Sequence, residues 1–395
     1  MQDPHARRDA TYVSALYLSL FASFGLFGPF SALYLRLAGL SAAGATMFLA
    51  FTRLLRVVST PVWTTWVDAR SSPRQVLLWT SLPTALLFLW MFVSAPGVSW
   101  LVCFAAFIAL RGPAVSLCDV LALDAAKRAD TSYGRLRLFG TVGYCTGAFA
   151  AGWLQQRGDL RAALALTLVA TLLGALSVSR LPKVKAPPRQ GILRDLRTLF
   201  SQRRYVVLLL CAALHQLGLG AYDMLYAPWA SAQIGGTVVG LSIALGGIAE
   251  VLFMAGGGGW LRRVGPRGVL TLAFVVSALR WFAMSRTQSA WVMVALQASH
   301  AFTFGAFYLA SIDLIEAETP RTVRASAQGI FTMSTFGVAA ALGLAVAAPL
   351  QRTGGFIRVM QASSAAALMA ALIAWLALGP VKSTHPATSP GPSQV

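Results

Sequence analysis

Three ionisable residues lie in the middle of long apolar stretches: Glu250, Arg280 and His300. A carboxylate takes up and releases a proton, and an imidazole does so near neutral pH. A guanidinium stays charged, so it can only bias its neighbours or hold an anion. An ionisable group in hydrocarbon costs about 2.5–3.5 kcal/mol even on a lenient insertion scale, so such groups face a partner or a water-filled cavity. Glu250 follows Gly246-Gly247, a pair that lets another helix approach closely. It reads as the holder of an exchangeable proton, adjusted by Arg280 and His300; the alternative is a fixed ion pair with Arg280. On a helix turning 100° per residue, His300, Phe304, Phe307 and Ser311 fall within about 60° of arc, a polar tip on an aromatic wall.

Further charges sit in the same kind of setting. Arg53 and Arg56 are spaced i, i+3, and Arg111 and Asp119 lie two turns apart across Gly112-Pro113. Neighbouring arginines inside a membrane call for anionic partners. Asp119 is one candidate and a substrate carboxylate another. His215, Tyr222, Tyr226 and Trp229 share one helical face, with Asp223 about 80° round from His215. The candidate binding set is therefore Arg53, Arg111, Asp119, His215, Tyr222, Asp223, Tyr226, Phe304 and Phe307. Asp68, Arg70, Arg74, Arg135 and Arg137 flank short hydrophilic breaks and read as a gate at the membrane surface.

The elements that must position these residues are membrane spans. Of 395 residues, 57% are apolar and only 11% charged. A soluble domain carries about 25% charged residues. Twelve apolar runs, from 11–34 to 356–379, have the length of about 20 residues that a spanning helix needs. Their even number puts both termini on one side. The net charge of +19 follows from the loops. With the N-terminus inside, 22 of the 32 Lys and Arg fall in inner segments, 6 in outer ones and 4 within spans. That asymmetry places both termini in the cytoplasm and the protein in the plasma (inner) membrane. Nucleic-acid binding is disfavoured, because no basic patch is interleaved with exposed aromatics. The cysteines, Cys103, Cys118, Cys145 and Cys211, lie in apolar runs without metal-ligand spacing. Sequence motifs for nucleotide binding, metalloprotease or serine-hydrolase chemistry are absent, so no enzyme activity and no cofactor is expected.

The basic, Pro-containing segment 182–204 divides six spans from six. The expected organisation is an N-terminal lobe 1–181, a cytoplasmic linker 182–204, a C-terminal lobe 205–380 and a disordered tail 381–395. Internal repetition supports the halving. Arg70–Leu77 reads R-x-x-P-R-x-V-L, and so does Arg263–Leu270; Leu154-Gln155 with Gly158 recurs as Leu350-Gln351 with Gly354. The sequence thus predicts an all-α membrane protein of about twelve transmembrane helices in two pseudo-symmetric six-helix lobes.

The chain resembles the major facilitator superfamily, within it the phenylpropionate permease-like group and its proton-coupled oligosaccharide and nucleoside symporter relatives. The residues that carry the resemblance are FGLFGPFSALYLRLAGLS from Phe24, PAVSLCDVLALD with Asp119, and YGRLRLFGTVGYCTGAFAAG from Tyr133. GIAEVLF with Glu250, LRWFAM with Arg280 and LQASHAFTFGAFYLA with His300 complete them. Two departures stand out. The superfamily loop G-x-x-x-D-R-x-G-R keeps Asp68 and its basic residues here without the glycines. The acid that follows the tenth-span histidine by three residues in the resembling symporters is replaced by Thr303, which puts more weight on Glu250. The resemblance implies a monomeric secondary transporter working by alternating access, with the proton as coupling ion and membrane lipid as its surroundings. Import of a small organic compound, such as an aromatic carboxylate, is the expectation; proton-driven efflux is the alternative.

Overall fold

The computed structural model describes residues 4–70, 72–184, 192–320 and 323–379. These residues form helices and no strand. The first lobe comprises α1 (Pro4–Phe27), the short α2 (Ser31–Leu37), α3 (Ala42–Arg70), α4 (Pro73–Val93), α5 (Val98–Arg111), α6 (Ala114–Arg128), α7 (Tyr133–Gln156) and α8 (Leu160–Ser179). After α9 (Ile192–Phe200), the second lobe comprises α10 (Arg203–Ile234), α11 (Gly236–Gly256), α12 (Gly258–Arg286) and α13 (Ala290–Ala295). It continues through α14 (Phe307–Glu318), α15 (Arg324–Thr332) and α16 (Ala340–Ala377).

Local sequence explains the boundaries. Ser72 opens α4 with a capping box to Gln75. Asp159 caps α8 by accepting from the Ala162 amide. Gly112-Pro113 separates α5 from α6 within one span, because proline lacks the amide a helix interior requires. Ten stretches cross a membrane by length and hydropathy alone. The difference from twelve has two causes. Ser326–Ala377 qualifies as a single stretch, yet it breaks into two helices at Gly354 and Gly355, the latter at φ 62°. The other missing span is α7, whose buried face is mostly Gly and Ala and whose sequence intersperses Gly, Tyr, Thr and Arg among its large apolar residues.

Glycines let α7 sit against both neighbours. A Cβ at Gly143 would lie 2.1 Å from the Leu18 carbonyl oxygen on α1, and one at Gly152 would lie 2.2 Å from that of Gly236 on α11. The second contact joins the two lobes. So do Thr46 Oγ1 donating to Gln351 Oε1 at 2.7 Å, and the Thr237 amide donating to Gln156 Oε1 at 3.0 Å. All of these lie at the end remote from the termini. There a single core contains residues of both lobes, including Phe27, Trp100 and Phe104 with Leu225, Met284 and Phe356. At the terminus end the cores are separate, one around Val13, Tyr17 and Leu117 and one around Tyr205, Phe274 and Leu314. The lobes thus close on each other at one end and part at the other. Within the expected linker, α9 sends Leu199 into the second lobe's core; residues 185–191 and the tail from 380 lie outside the described residues.

Candidate functional site

The second lobe's charged centre is held by buried neutral acceptors. Arg280, on α12, is 1% exposed. Its guanidinium donates to Thr303 Oγ1 and Gln297 Oε1, both at 2.8 Å, and lies 4.4 Å from the Tyr222 ring centroid. Its NH1 is 3.3 Å from His300 Nδ1. A guanidinium has no acceptor, so Nδ1 faces it as the acceptor and the proton of a neutral imidazole resides on Nε2. That nitrogen lies 3.5 Å from Glu250 Oε2. Glu250 and His300 keep 23% and 19% of their side chains open. Gly305 supports the pair, since its face lies against the Glu250 side chain.

The helix that carries His300 is not regular. A 3₁₀ turn, Leu296–Ser299, and a π segment, Ala301–Ala306, lead into α14. The wider π turn changes which residues share a face. His300, Phe304 and Tyr308 stack in sequence with centroids 5.9 Å apart at each step. Phe307 and Ser311, expected beside them, are fully buried. Phe307 packs on His215 at 4.7 Å. This corrects the assignment of Phe307 to the binding wall.

His215 is corrected likewise. It is fully buried, enclosed by Phe274, Trp281 and Phe307, and its Nε2 sits 2.8 Å from the Thr303 carbonyl oxygen. Tyr222 and Tyr226 are buried as well. Their hydroxyls meet Gln297 Oε1 at 2.5 Å and Ser242 Oγ at 2.9 Å, so they stand behind the wall and brace it. Asp223, next to Tyr222, is only partly covered. It lies within electrostatic range of Arg53 across the inter-lobe space, and of His300, Arg280 and Glu250 in its own lobe.

In the first lobe, Asp119 does not pair with Arg111. Its Oδ1 accepts from the hydroxyls of Tyr17 at 2.5 Å and Tyr133 at 2.9 Å, and from Arg137 NH1 at 3.0 Å. Tyr133 and Arg137, one turn apart on α7, both reach Asp119 on α6. Tyr308 of the second lobe lies within electrostatic range of this pair. Arg111 is 7% exposed, and its Nε has no partner among the described residues. Arg53 is partly covered and Arg56 exposed, although both lie mid-helix in α3. Arg74 donates to the Val178 and Ser179 carbonyl oxygens at 3.2 and 2.7 Å, closing the end of α8 inside the first lobe. The side chains of Asp68 and Arg70 lie outside the described residues. Gln297, Tyr17 and Tyr133 carry no charge, and nothing in the sequence marked them as partners of these charged groups.

The fold and this pair of charged centres define a multi-pass membrane transporter of the major facilitator type. The sequence model of the MFS_1 like family matches residues 10–362, and the chain belongs to that family. It is 25% identical over 335 residues to the maltose permease of Geobacillus stearothermophilus, covering 84% of each chain. It is 28% identical over 308 residues to an Escherichia coli protein named "Probable 3-phenylpropionic acid transporter", covering 76% of this chain and 80% of that one. Among solved structures, the nucleoside transporter NupG superposes with a TM-score of 0.79 at 16% identity, covering 93% of this chain and 97% of that one; that likeness is one of fold.

Proposed function

We propose that this transporter imports a small organic anion, of which an aromatic carboxylate is the fitting class, together with protons. The observation that carries this reading is the charge balance in and beside the spans. Arg53, Arg56, Arg111, Arg137 and Arg280 stand against Asp119, Asp223 and Glu250. Asp119 is already engaged by Arg137. A neutral sugar leaves the surplus unanswered, whereas a carboxylate meets a guanidinium fork with two parallel hydrogen bonds. The stacked His300, Phe304 and Tyr308 rings offer a flat apolar face for an aromatic body. The relative named for 3-phenylpropionic acid agrees with this chemistry.

Glu250 is the proton carrier in this reading. Its carboxylate is partly open to water and tied through His300 to a guanidinium that cannot release a proton. With the termini in the cytoplasm, the open end faces inward, and the described state is the one that releases cargo. Proton and anion enter together from the far side, partly offsetting each other's charge while the lobes rock. A single chain supplies both lobes, so a monomer suffices. Proteoliposomes test the proposal: an inside-alkaline pH gradient should drive accumulation of 3-phenylpropionate, and its amide should accumulate far less. Equal accumulation of acid and amide would refute the anion selectivity.

A further inference from the structure

Arg135 does not share the surroundings of Arg137. Along α7, Arg135, Phe139, Val142 and Thr146 recur at helical spacing and all are exposed. Gly140, Gly143 and Gly147 on the adjoining face lie against α1. Arg135 therefore belongs to the outer, membrane-facing side of the first lobe, whereas Arg137 turns to Asp119. Beside it, in the groove between α1 and α7 at the terminus end, is a pocket of about 380 Å³. Arg7 and Arg135 supply its positive charge, and the Ala129–Thr131 turn and Phe139 complete the wall. Asp130 also borders it. The other acids at these helix ends, Asp9 and Asp124, are both engaged by Arg128.

We propose that this pocket binds the headgroup of an anionic phospholipid from the leaflet on the terminus side. Two features select that occupant. The guanidiniums of Arg7 and Arg135, on different helices, can share a phosphate. From the pocket, the groove runs toward the middle of the membrane past Leu18, Phe139 and Val142, which are 39%, 45% and 55% exposed. That apolar furrow fits an acyl chain and offers nothing to a free phosphate ion. The bound lipid ties α1 to α7, and so steadies the helix that presents Arg137 and Tyr133 to Asp119.

Native mass spectrometry of the full chain in detergent tests the assignment. Phosphatidylglycerol should be retained about tenfold more than phosphatidylcholine with the same acyl chains, the order expected for two guanidiniums near an anionic headgroup. Arg7→Gln with Arg135→Gln should reduce that preference to near parity. Phe139→Ser, which keeps both charges, should weaken phosphatidylglycerol retention through the chain. Glycerol phosphate at equal concentration should fail to displace the lipid from the wild-type chain. Equal retention of the two lipids by the wild type, or unchanged preference in the double variant, would overturn the proposal. Displacement by glycerol phosphate would make the pocket a site for soluble phosphates instead. The wild-type measurements can overturn the proposal even where a variant fails to fold.

Discussion

Glu250 and Arg280 do not touch: the imidazole of His300 stands between them, 3.5 Å from the carboxylate and 3.3 Å from the guanidinium. A direct ion pair would fix the carboxylate in its charged form and make it a structural element. The interposed ring keeps the carboxylate out of contact with the guanidinium, which neutral acceptors on Thr303 and Gln297 satisfy. Thr303 is thus part of the arrangement, since its hydroxyl accepts from Arg280.

Arg53 lies within electrostatic range of Asp223 across the inter-lobe space. Lysine keeps the charge and loses the planar fork. Arg53→Lys should raise the KM for a carboxylate substrate by about tenfold, equivalent to about 1.4 kcal/mol, and change uptake of the neutral amide much less. Uptake assays on the acid and amide check this; equal losses would make Arg53 structural.

Tyr17 and Tyr133 hold Asp119 in place for Arg137. A hydrogen bond to a charged group contributes about 1.5–3 kcal/mol, and the partial exposure of this cluster favours the lower end. Tyr17→Phe should therefore lower thermal stability in detergent by a few degrees and reduce transport. Tyr17→Phe with no change in melting temperature would mean that Tyr133 and Arg137 suffice.

In the proposed cycle, the contacts that close the lobes remote from the termini part. Thr46→Cys with Gln351→Cys, in a background without the native cysteines, should be joined by a short bifunctional thiol reagent. Linking them should abolish uptake, with uptake returning when a cleavable linker is cut. Full transport by the linked protein would contradict alternating access through this end.

Ser201 lies just before α10 in the segment read as cytoplasmic. Ser201→Cys should resist an impermeant thiol reagent in intact cells and react after the inner membrane is opened. Labelling in intact cells would invert the orientation.

Much of this arrangement is legible in the sequence, for physical reasons. Spans announce themselves by apolar length, and Glu250, Arg280 and His300 by the cost of a charge in hydrocarbon. The misplaced residues have physical causes. Face assignments for Phe307 and Ser311 assume a regular 3.6-residue helix, and the π segment at Ala301–Ala306 shifts the pattern; His215 lies on the unbroken α10 and is covered by the rings of Phe274, Trp281 and Phe307. The sequence offers Asp119 as a partner for the in-membrane arginines of the first lobe, whereas the groups that reach it come from α1 and α7. Neutral residues such as Gln297 and Tyr17 carry no composition signal, because their role exists only once distant helices meet. Arg135 and Arg137 look equivalent in sequence, and the roughly 200° between them on a helix sends one outward and the other inward.

Transport driven by a pH gradient depends, in this reading, on Glu250 as the carrier of the coupling proton. Glutamine matches the protonated carboxyl in shape and cannot release a proton. In proteoliposomes, Glu250→Gln should retain exchange of labelled for unlabelled 3-phenylpropionate across the membrane and lose accumulation driven by an imposed pH gradient. Accumulation by the Gln variant under that gradient would contradict the account and move the proton to Asp223 or Asp119.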